Sequence, residues 1–504
     1  MLVAILTSMQ ACFDLEEDTS SILTIDNLAD KGAIDAALNP IYRQYQVTID
    51  APHYNHITAY GADDITTWWA GNKAPLRVFD RFDYGNGENS DVLWLDAAWS
   101  GYWKVIYYCN TLIEGLKTSP VDAEYIAKAD GEARFFRALA YFELVKRWGN
   151  MPVILDGMTP TGEETRATVL ENYQHIEADL KIAELNLPEP GAVSAPGKVS
   201  KAAAKTLMAD FYMVWAGWPI KDNSKYALAA QKVKEVMNMG YFELLPYDQL
   251  WTLENQNSKE SIFSVQYSET EDIRSGYPAA FSFHMSRGWS DCYPERQFFY
   301  DFPEGLRKEW TFYTDIPNRK VVGGIIVPSN PPTIPWEKSE RKHPMFRKFQ
   351  VAERLDVNNR VTGYRAIQLY RYAEVLLTFA EATARAAGGS ANGEALEALN
   401  KVKRRAMGLP YDSPDANVDV TSATADEIMQ EKAWEIAGEF GKRWWDLVRT
   451  EKVGEANSRR DPTEEVPLAI SPDQINWKHY IAPIPYAAIT TSKLVQNPEG
   501  FKAQ

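Results

Sequence analysis

The sequence predicts a mainly α-helical protein, built of antiparallel helix pairs packed in the manner of tetratricopeptide repeats, with a loop-rich irregular lobe and minor β-structure. Three observations lead there. Apolar residues recur at helical spacing in long segments that follow one another in pairs. Small residues fall where paired helices would touch. Between about residues 240 and 363 this regularity gives way to Pro, Gly and aromatic residues. No clean 34-residue consensus recurs, so the pairing rests on periodicity rather than on a repeat motif.

The chain opens on the apolar stretch Met1–Ala11, too short to cross a bilayer as a helix. It has the character of a signal-peptide core without the basic residues that usually precede one. Ala11 directly before Cys12 is similar to a bacterial lipobox, although Met9 and Gln10 depart from the usual residues. Residues 1–12 are therefore expected to be a signal and lipobox remnant, and Cys12 the lipidated residue. Acyl chains there would anchor the protein without a spanning segment. Residues 13–504 are expected to form one domain.

From about 26 to 45 the pattern is helical, with Asp26 and Asn27 as caps and Ala33, Ala36, Ala37 and Ile41 inward. A polar, aromatic, irregular stretch follows from His53 to Gly87. Helices are then expected near Val92–Leu116 and at Asp122–Trp148, the second started by Asp122 and stopped by Gly149 and Pro152. Thr168–Leu185 and Lys198–Trp215 make the next pair, followed by Ser224–Met239. After the excursion, whose strand-like pieces include Ser261–Tyr267 and Gly323–Pro328, helices are expected at Tyr364–Ala387, Gly393–Arg405 and Thr424–Arg449. The helical scaffold thus spans about 26–240 and 364–450, and residues 450–504 form a loop-like tail. Within the last helix Trp434, Gly441, Trp445 and Val448 lie near helical spacing, and Glu439 and Arg443 stand in the order of a surface ion pair.

Composition excludes several functions. The net charge of −16 and the absence of any Lys/Arg run longer than two argue against a nucleic-acid partner. Three cysteines cannot make a disulfide framework, and the six His are scattered without zinc spacing, so neither a metal nor a cofactor is expected. The chain carries 16 Trp, 26 Tyr and 20 Phe. Helical cores use such residues, and sugar faces also stack on them.

Segments in order along the chain resemble the SusD/RagB family. Glu431–Arg449, EKAWEIAGEFGKRWWDLVR, is similar to that family's C-terminal signature ERR-x-E-L-x-x-E-G-x-R-W-x-D-L-x-R. Gly131–Val145 with Trp148–Pro152, Thr168–Leu180, Gly197–Ala204, Leu369–Ala382, and the tail's Pro-Ile-Pro and Gln496–Phe501 match further patterns. The departures are Lys432 in place of the first Arg, Gly438 where a larger residue is common, and Thr490–Ser492 without the usual Asn-Pro. The resemblance implies four tetratricopeptide-like helix pairs against a less regular lobe, with Arg371, Glu374, Glu381, Arg443, Trp444 and Asp446 serving as scaffold. It further implies a non-enzymatic, lipid-anchored outer-membrane protein at the cell surface. Such a protein binds glycans and delivers them to a TonB-dependent SusC-like transporter.

The family places ligand specificity in loops, so the chemistry of the residues must choose the site. A glycan site needs exposed aromatic faces and planar hydrogen-bonding partners. The first candidate stretch holds Asp63, Asp64, Trp68, Trp69, Asn72 and Arg81. Adjacent Trp68 and Trp69 cannot both point inward in extended chain, so at least one is expected at the surface. The second holds Tyr277, Trp289, Asp291 and Tyr293, with Trp310 and Trp336 as outliers. Trp69, Trp289 and Tyr293 lead because apolar periodicity is weakest around them. Three alternatives stay open: a binder of peptide or another non-sugar nutrient, an all-helical glycoside hydrolase, and a tetratricopeptide scaffold for protein partners. The hydrolase needs two carboxylates across one cleft, and no motif supplies them.

Overall fold

The computed structural model describes residues 28–50, 57–69, 71–83, 94–282, 288–322, 325–349, 353–355, 361–464 and 466–504. Cys12 and the cap residues Asp26 and Asn27 lie outside them. Helix α1 (Lys31–Asp50) begins where the Asp30 carboxylate accepts the Ala33 N–H, and it buries Ile34, Leu38, Ile41, Tyr45 and Ile49. The inward stripe is thus centred on the branched residues, with Ala33, Ala36 and Ala37 at its margin. A short helix α2 (Ala74–Asp80) follows. Helices α3 (Asp96–Leu116) and α4 (Ala123–Trp148) pack as a pair with α1 across both. Gly101 on α3 permits the close approach to α1, since a Cβ there would sit 2.5 Å from the Thr48 hydroxyl.

Each later helix packs on its predecessor: α5 (Val169–Asn186) on α4, α6 (Lys201–Trp215) on α5, and α7 (Lys225–Asn238) on α6. Their starts follow the expected cap chemistry. The Asp122 side chain accepts the Tyr125 N–H, Ser200 accepts from Ala203, and Thr168 and Glu171 form a reciprocal capping box. The array resumes in α8 (Tyr372–Ala386), which packs on α7, and continues through α9 (Gly393–Ala406), α10 (Ala425–Glu435) and α11 (Lys442–Arg449). The intervening residues return to their point of departure because Ser261–Val265 pairs antiparallel with Ile367–Arg371. Residues 367–371, read as helix from sequence, are therefore strand, and the Glu374 carboxylate accepts the Arg371 N–H where α8 starts. Asp315–Val322 and Ile325–Pro335 form a long two-stranded hairpin. No described helix is long and apolar enough to cross a membrane.

Glu431–Arg449 is not one helix. Helix α10 ends at Glu435 and α11 begins at Lys442, and between them Gly438, Phe440 and Gly441 take φ of 71°, 52° and 62°. A side chain at Gly438 would meet the Phe346 ring at 2.9 Å, besides the strain of its left-handed backbone. The break changes what the charges do. Glu439 and Arg443 do not pair with each other at the surface, and both are buried. Glu439 joins Arg371 at 2.8 Å and Lys348 at 2.7 Å, and Arg443 binds Asp63 at 2.7 and 2.9 Å.

Arg371 is the hub of a buried ion network. It also meets Glu260 and Glu435 at 3.0 Å; Arg405 bridges the same two carboxylates at 3.0 and 2.6 Å; Arg307 reaches Glu431 at 2.7 Å. Glu260, Arg307 and Lys348 belong to the 240–363 excursion, the rest to the helical scaffold, so the network fastens one to the other. Glu381 similarly binds Arg449 at 2.7 Å, and Trp444 is buried, in keeping with scaffold roles. The tail closes back on α4. The Trp148 indole donates to the Pro483 carbonyl at 3.0 Å, and Asn497 donates to the carbonyls of Trp148 and Ala482 at 2.9 and 2.7 Å.

Removing one partner of such a network leaves opposite charges buried without compensation. Arg371→Met is expected to lower unfolding stability by about 3–5 kcal/mol, read as the shift in the urea midpoint. The same network makes the protein acid-labile. Burial alone would raise the Glu439 pKa, but Arg371 and Lys348 overcome it and hold it at about 2, below its ordinary 4.5. The associated stability is present above pH 4.5 and is lost as pH falls toward 2. Melting temperatures measured across that range should decline steeply in the wild type, and less so in Arg371→Met.

Candidate functional site

The two stretches proposed from sequence meet in the structure. Ile65–Thr66 pairs antiparallel with Tyr293–Pro294, Ile65 against Pro294 and Thr66 against Tyr293. The Glu295 N–H donates to the Asp64 carbonyl at 3.2 Å. On the far side of the ladder Lys73 forms a buried ion pair with Asp291, and the Tyr60 hydroxyl donates to the Asp291 carbonyl at 3.1 Å. By that register the two chains leave the ladder side by side, with Trp68 and Trp69 on one and Trp289 to Asp291 on the other.

Around them the backbone is held from below. The Asp80 carboxylate, at the end of α2, accepts the Thr66 hydroxyl at 3.0 Å, the Thr67 N–H at 3.2 Å and the Arg460 guanidinium at 2.7 Å. Arg77 donates to the Trp68 carbonyl at 3.3 Å. On this support Trp69 is 52% exposed, its ring centre 5.0 Å from that of Trp68 and inclined at 54°. Trp68 is half-buried under the Arg341 guanidinium, which stacks over its face. Trp289 is also half-buried, its ring against Gly276, where a Cβ would come within 3.0 Å. Asn72 is exposed beside them in sequence.

The other proposed contacts are corrected by burial. Tyr293 is 1% exposed, in the ladder itself, with its ring 5.5 Å from His343. Trp336 is buried against Phe299 and Tyr300. Tyr277 is buried and stacks on Phe440 at 5.5 Å, and Trp310 lies beneath the Arg347 guanidinium. Arg81 is buried, paired with Asp80 at 3.3 Å and donating to Thr66. Asp64 is buried and accepts the Gly438 N–H at 2.8 Å, while its neighbour Asp63 is tied up by Arg443. All of these but Trp310, which is half-buried, are buried.

Arg341 and Lys73 are the residues that sequence reasoning missed. Neither carries a local signal, because each acts through a partner far away in the chain. Between the helices lie small internal cavities, the first lined by Glu143, Lys146, Asp210 and Lys432. Its charges serve the scaffold: Lys146 pairs with Glu143, and Lys432 with Asp446. Among the described residues no group of His, Cys, Asp and Glu has the arrangement of a metal site. Cys109 and Cys292 are buried thiols.

Comparison with known proteins agrees in sequence and in shape. The model of the SusD family matches residues 309–500, and one described as starch-binding associating with outer membrane matches residues 41–213. A SusD-like protein of Bacteroides ovatus is 27% identical over 378 residues. That stretch is 70% of this chain and 65% of the relative's length. A SusD homolog from Bacteroides thetaiotaomicron superimposes with a TM-score of 0.78 at 21% identity, covering 94% of this chain and 98% of the other. Surface glycan-binding protein A from Bacteroides fluxus does so at 0.73 and 23%, covering 93% and 99%.

Asp64 offers a test of the buried support. Burial raises its pKa, the Gly438 N–H opposes the shift and the Asp63 charge adds to it, leaving it at about 6 against an ordinary 3.8. The folded state therefore binds this proton more tightly than the unfolded chain. Stability from it is present below pH 3.8 and is lost as pH rises through about 6. Asp64→Asn keeps an acceptor for Gly438 and is expected to remove this loss, of the order of 2 kcal/mol, from the stability profile between pH 4 and 7. Parallel wild-type and variant profiles would contradict it.

Proposed function

This chain belongs to the SusD family, and we propose on that premise that it is a non-enzymatic glycan-binding lipoprotein of the outer-membrane surface. In this reading Cys12 carries the lipid anchor, and the protein holds an oligosaccharide and passes it to a TonB-dependent SusC-like transporter. The observation that carries the reading is the Trp69 platform: a large, exposed aromatic face on a backbone fixed by Asp80, Arg77 and the Ile65–Thr66 ladder. A sugar ring lays its C–H face on such a surface at little ordering cost, because the indole is already positioned. Trp68, Trp289 and Asn72 extend the contact. The carboxylates nearest the platform are committed, Asp291 to Lys73 and Asp64 to Gly438, which supports binding rather than hydrolysis.

A glycan array with the soluble chain lacking residues 1–12 would identify the ligand. Titration calorimetry with the best oligosaccharide is then expected to show affinity falling about tenfold in Trp69→Ala, the equivalent of ~1.4 kcal/mol, and falling in Trp289→Ala as well. For Trp69→Ala the melting temperature should not move, because an exposed side chain is removed. Unchanged affinity in both variants would take the ligand away from this platform. Release of shorter products on incubation would sink the non-enzymatic reading.

A further inference from the structure

At the opposite end of the same ladder lies a polar cleft of about 80 Å³, lined by Asp63, Gln297, Asp301, Gln430, Trp434 and Arg459, with Phe298 and Ala456 beneath. Two helices supply facing pairs of side chains four residues apart: Gln430 and Trp434 from α10, Gln297 and Asp301 from the short helix Arg296–Asp301. Their polar atoms are only partly used. Gln430 accepts from Arg443 through its oxygen, which leaves its NH2 to donate. Gln297 donates to one oxygen of Asp301, which leaves the amide oxygen and the second carboxylate oxygen to accept. The half-buried Trp434 ring lines the cleft. Arg459 is half-exposed and lies 3.7 Å from Asp63, too far for a tight ion pair. By contrast both Glu295 carboxylate oxygens accept backbone N–H groups, and both terminal nitrogens of Arg460 are engaged.

The uncommitted groups include both donors and acceptors, beside the apolar Phe298 and Ala456, and the charges nearly balance: Asp63, Glu295 and Asp301 against Arg459 and Arg460, with Arg443 bound to Asp63. That pattern selects neither anion nor cation. It suits adjacent hydroxyls, each able to give one hydrogen bond and take another. At roughly 10–15 Å³ for a water, the cleft has room for several water-sized groups, so for one ring edge and not for a chain. We propose that this cleft is a second saccharide subsite, which takes one neutral pyranose residue beside the Trp434 ring by hydrogen bonds from Gln430 and Arg459 and to Asp301 and Gln297. It rests on the glycan-binding reading for the class of ligand alone. The paired Ile65–Thr66 strand stands between Asp63 and Trp69, so the cleft and the platform lie at opposite ends of the ladder.

Saturation-transfer NMR with free D-glucose, D-galactose, D-mannose and D-xylose tests it on the soluble chain. At least one sugar should give a signal in the wild type and in Trp69→Ala. That signal should weaken about tenfold, as expected for lost hydrogen bonds to charged groups, in Arg459→Ala and in Asp301→Ala. Arg459 is exposed, so its variant should keep the wild-type melting temperature. A signal lost in Trp69→Ala but intact in both cleft variants would overturn the second subsite and leave the platform standing. Silence with all four sugars would overturn it too, while oligosaccharide titration still judges the platform independently.

Discussion

The interaction on which the rest of this structure depends is the buried contact of Arg371 with Glu260, Glu435 and Glu439. Four charges out of water are tolerable only if each is matched, and here Arg405, Arg307 and Lys348 complete the match. Glu435 ends α10 and Glu439 lies in the turn that follows, and both carboxylates meet the Arg371 guanidinium. Gly438 and Gly441 make that turn possible. The turn in turn aims the Gly438 N–H at Asp64 and starts α11 so that Arg443 reaches Asp63. Asp63 and Asp64 are the last residues before the ladder that carries Trp68 and Trp69. A charge cluster deep in the scaffold thus governs where an aromatic ring meets solvent.

This arrangement separates stiffness from contact. The carboxylates, arginines and buried tyrosines of the 57–83 and 277–295 stretches are consumed in holding one another, and little of their chemistry is left for a ligand. What the support leaves over is an exposed indole at one end of the ladder and partly used amide and guanidinium groups at the other. Under the proposed function these would make the contacts, and such a preorganised surface would lose little side-chain entropy on binding.

Much of the fold was legible in the sequence. Helix starts at Asp122 and Thr168, and the stop at Gly149, depend on atoms within a few residues, so local patterns suffice. The pairing of successive helices followed from their length and short connections. The 431–449 segment was misread for the same reason that the others were read well. Its apolar spacing is helical on both sides of the break, and periodicity cannot register a turn that exists to satisfy Arg371, Asp64 and Asp63 from distant parts of the chain. Residues 367–371 were misread because their partner strand, Ser261–Val265, lies over a hundred residues away.

What the sequence determined by itself was the helical architecture, the kinship carried by its motifs, and two aromatic, loop-like stretches proposed for a ligand. Only the tertiary structure decided that those stretches meet, since the pairing of Thr66 with Tyr293 spans the intervening chain. It also decided which aromatic rings remain in solvent. Trp69 and Trp336 look alike in sequence, each beside polar residues in a loop. One stands clear of its support, while the other is covered by Phe299 and Tyr300, because burial is set by what the rest of the chain lays on top.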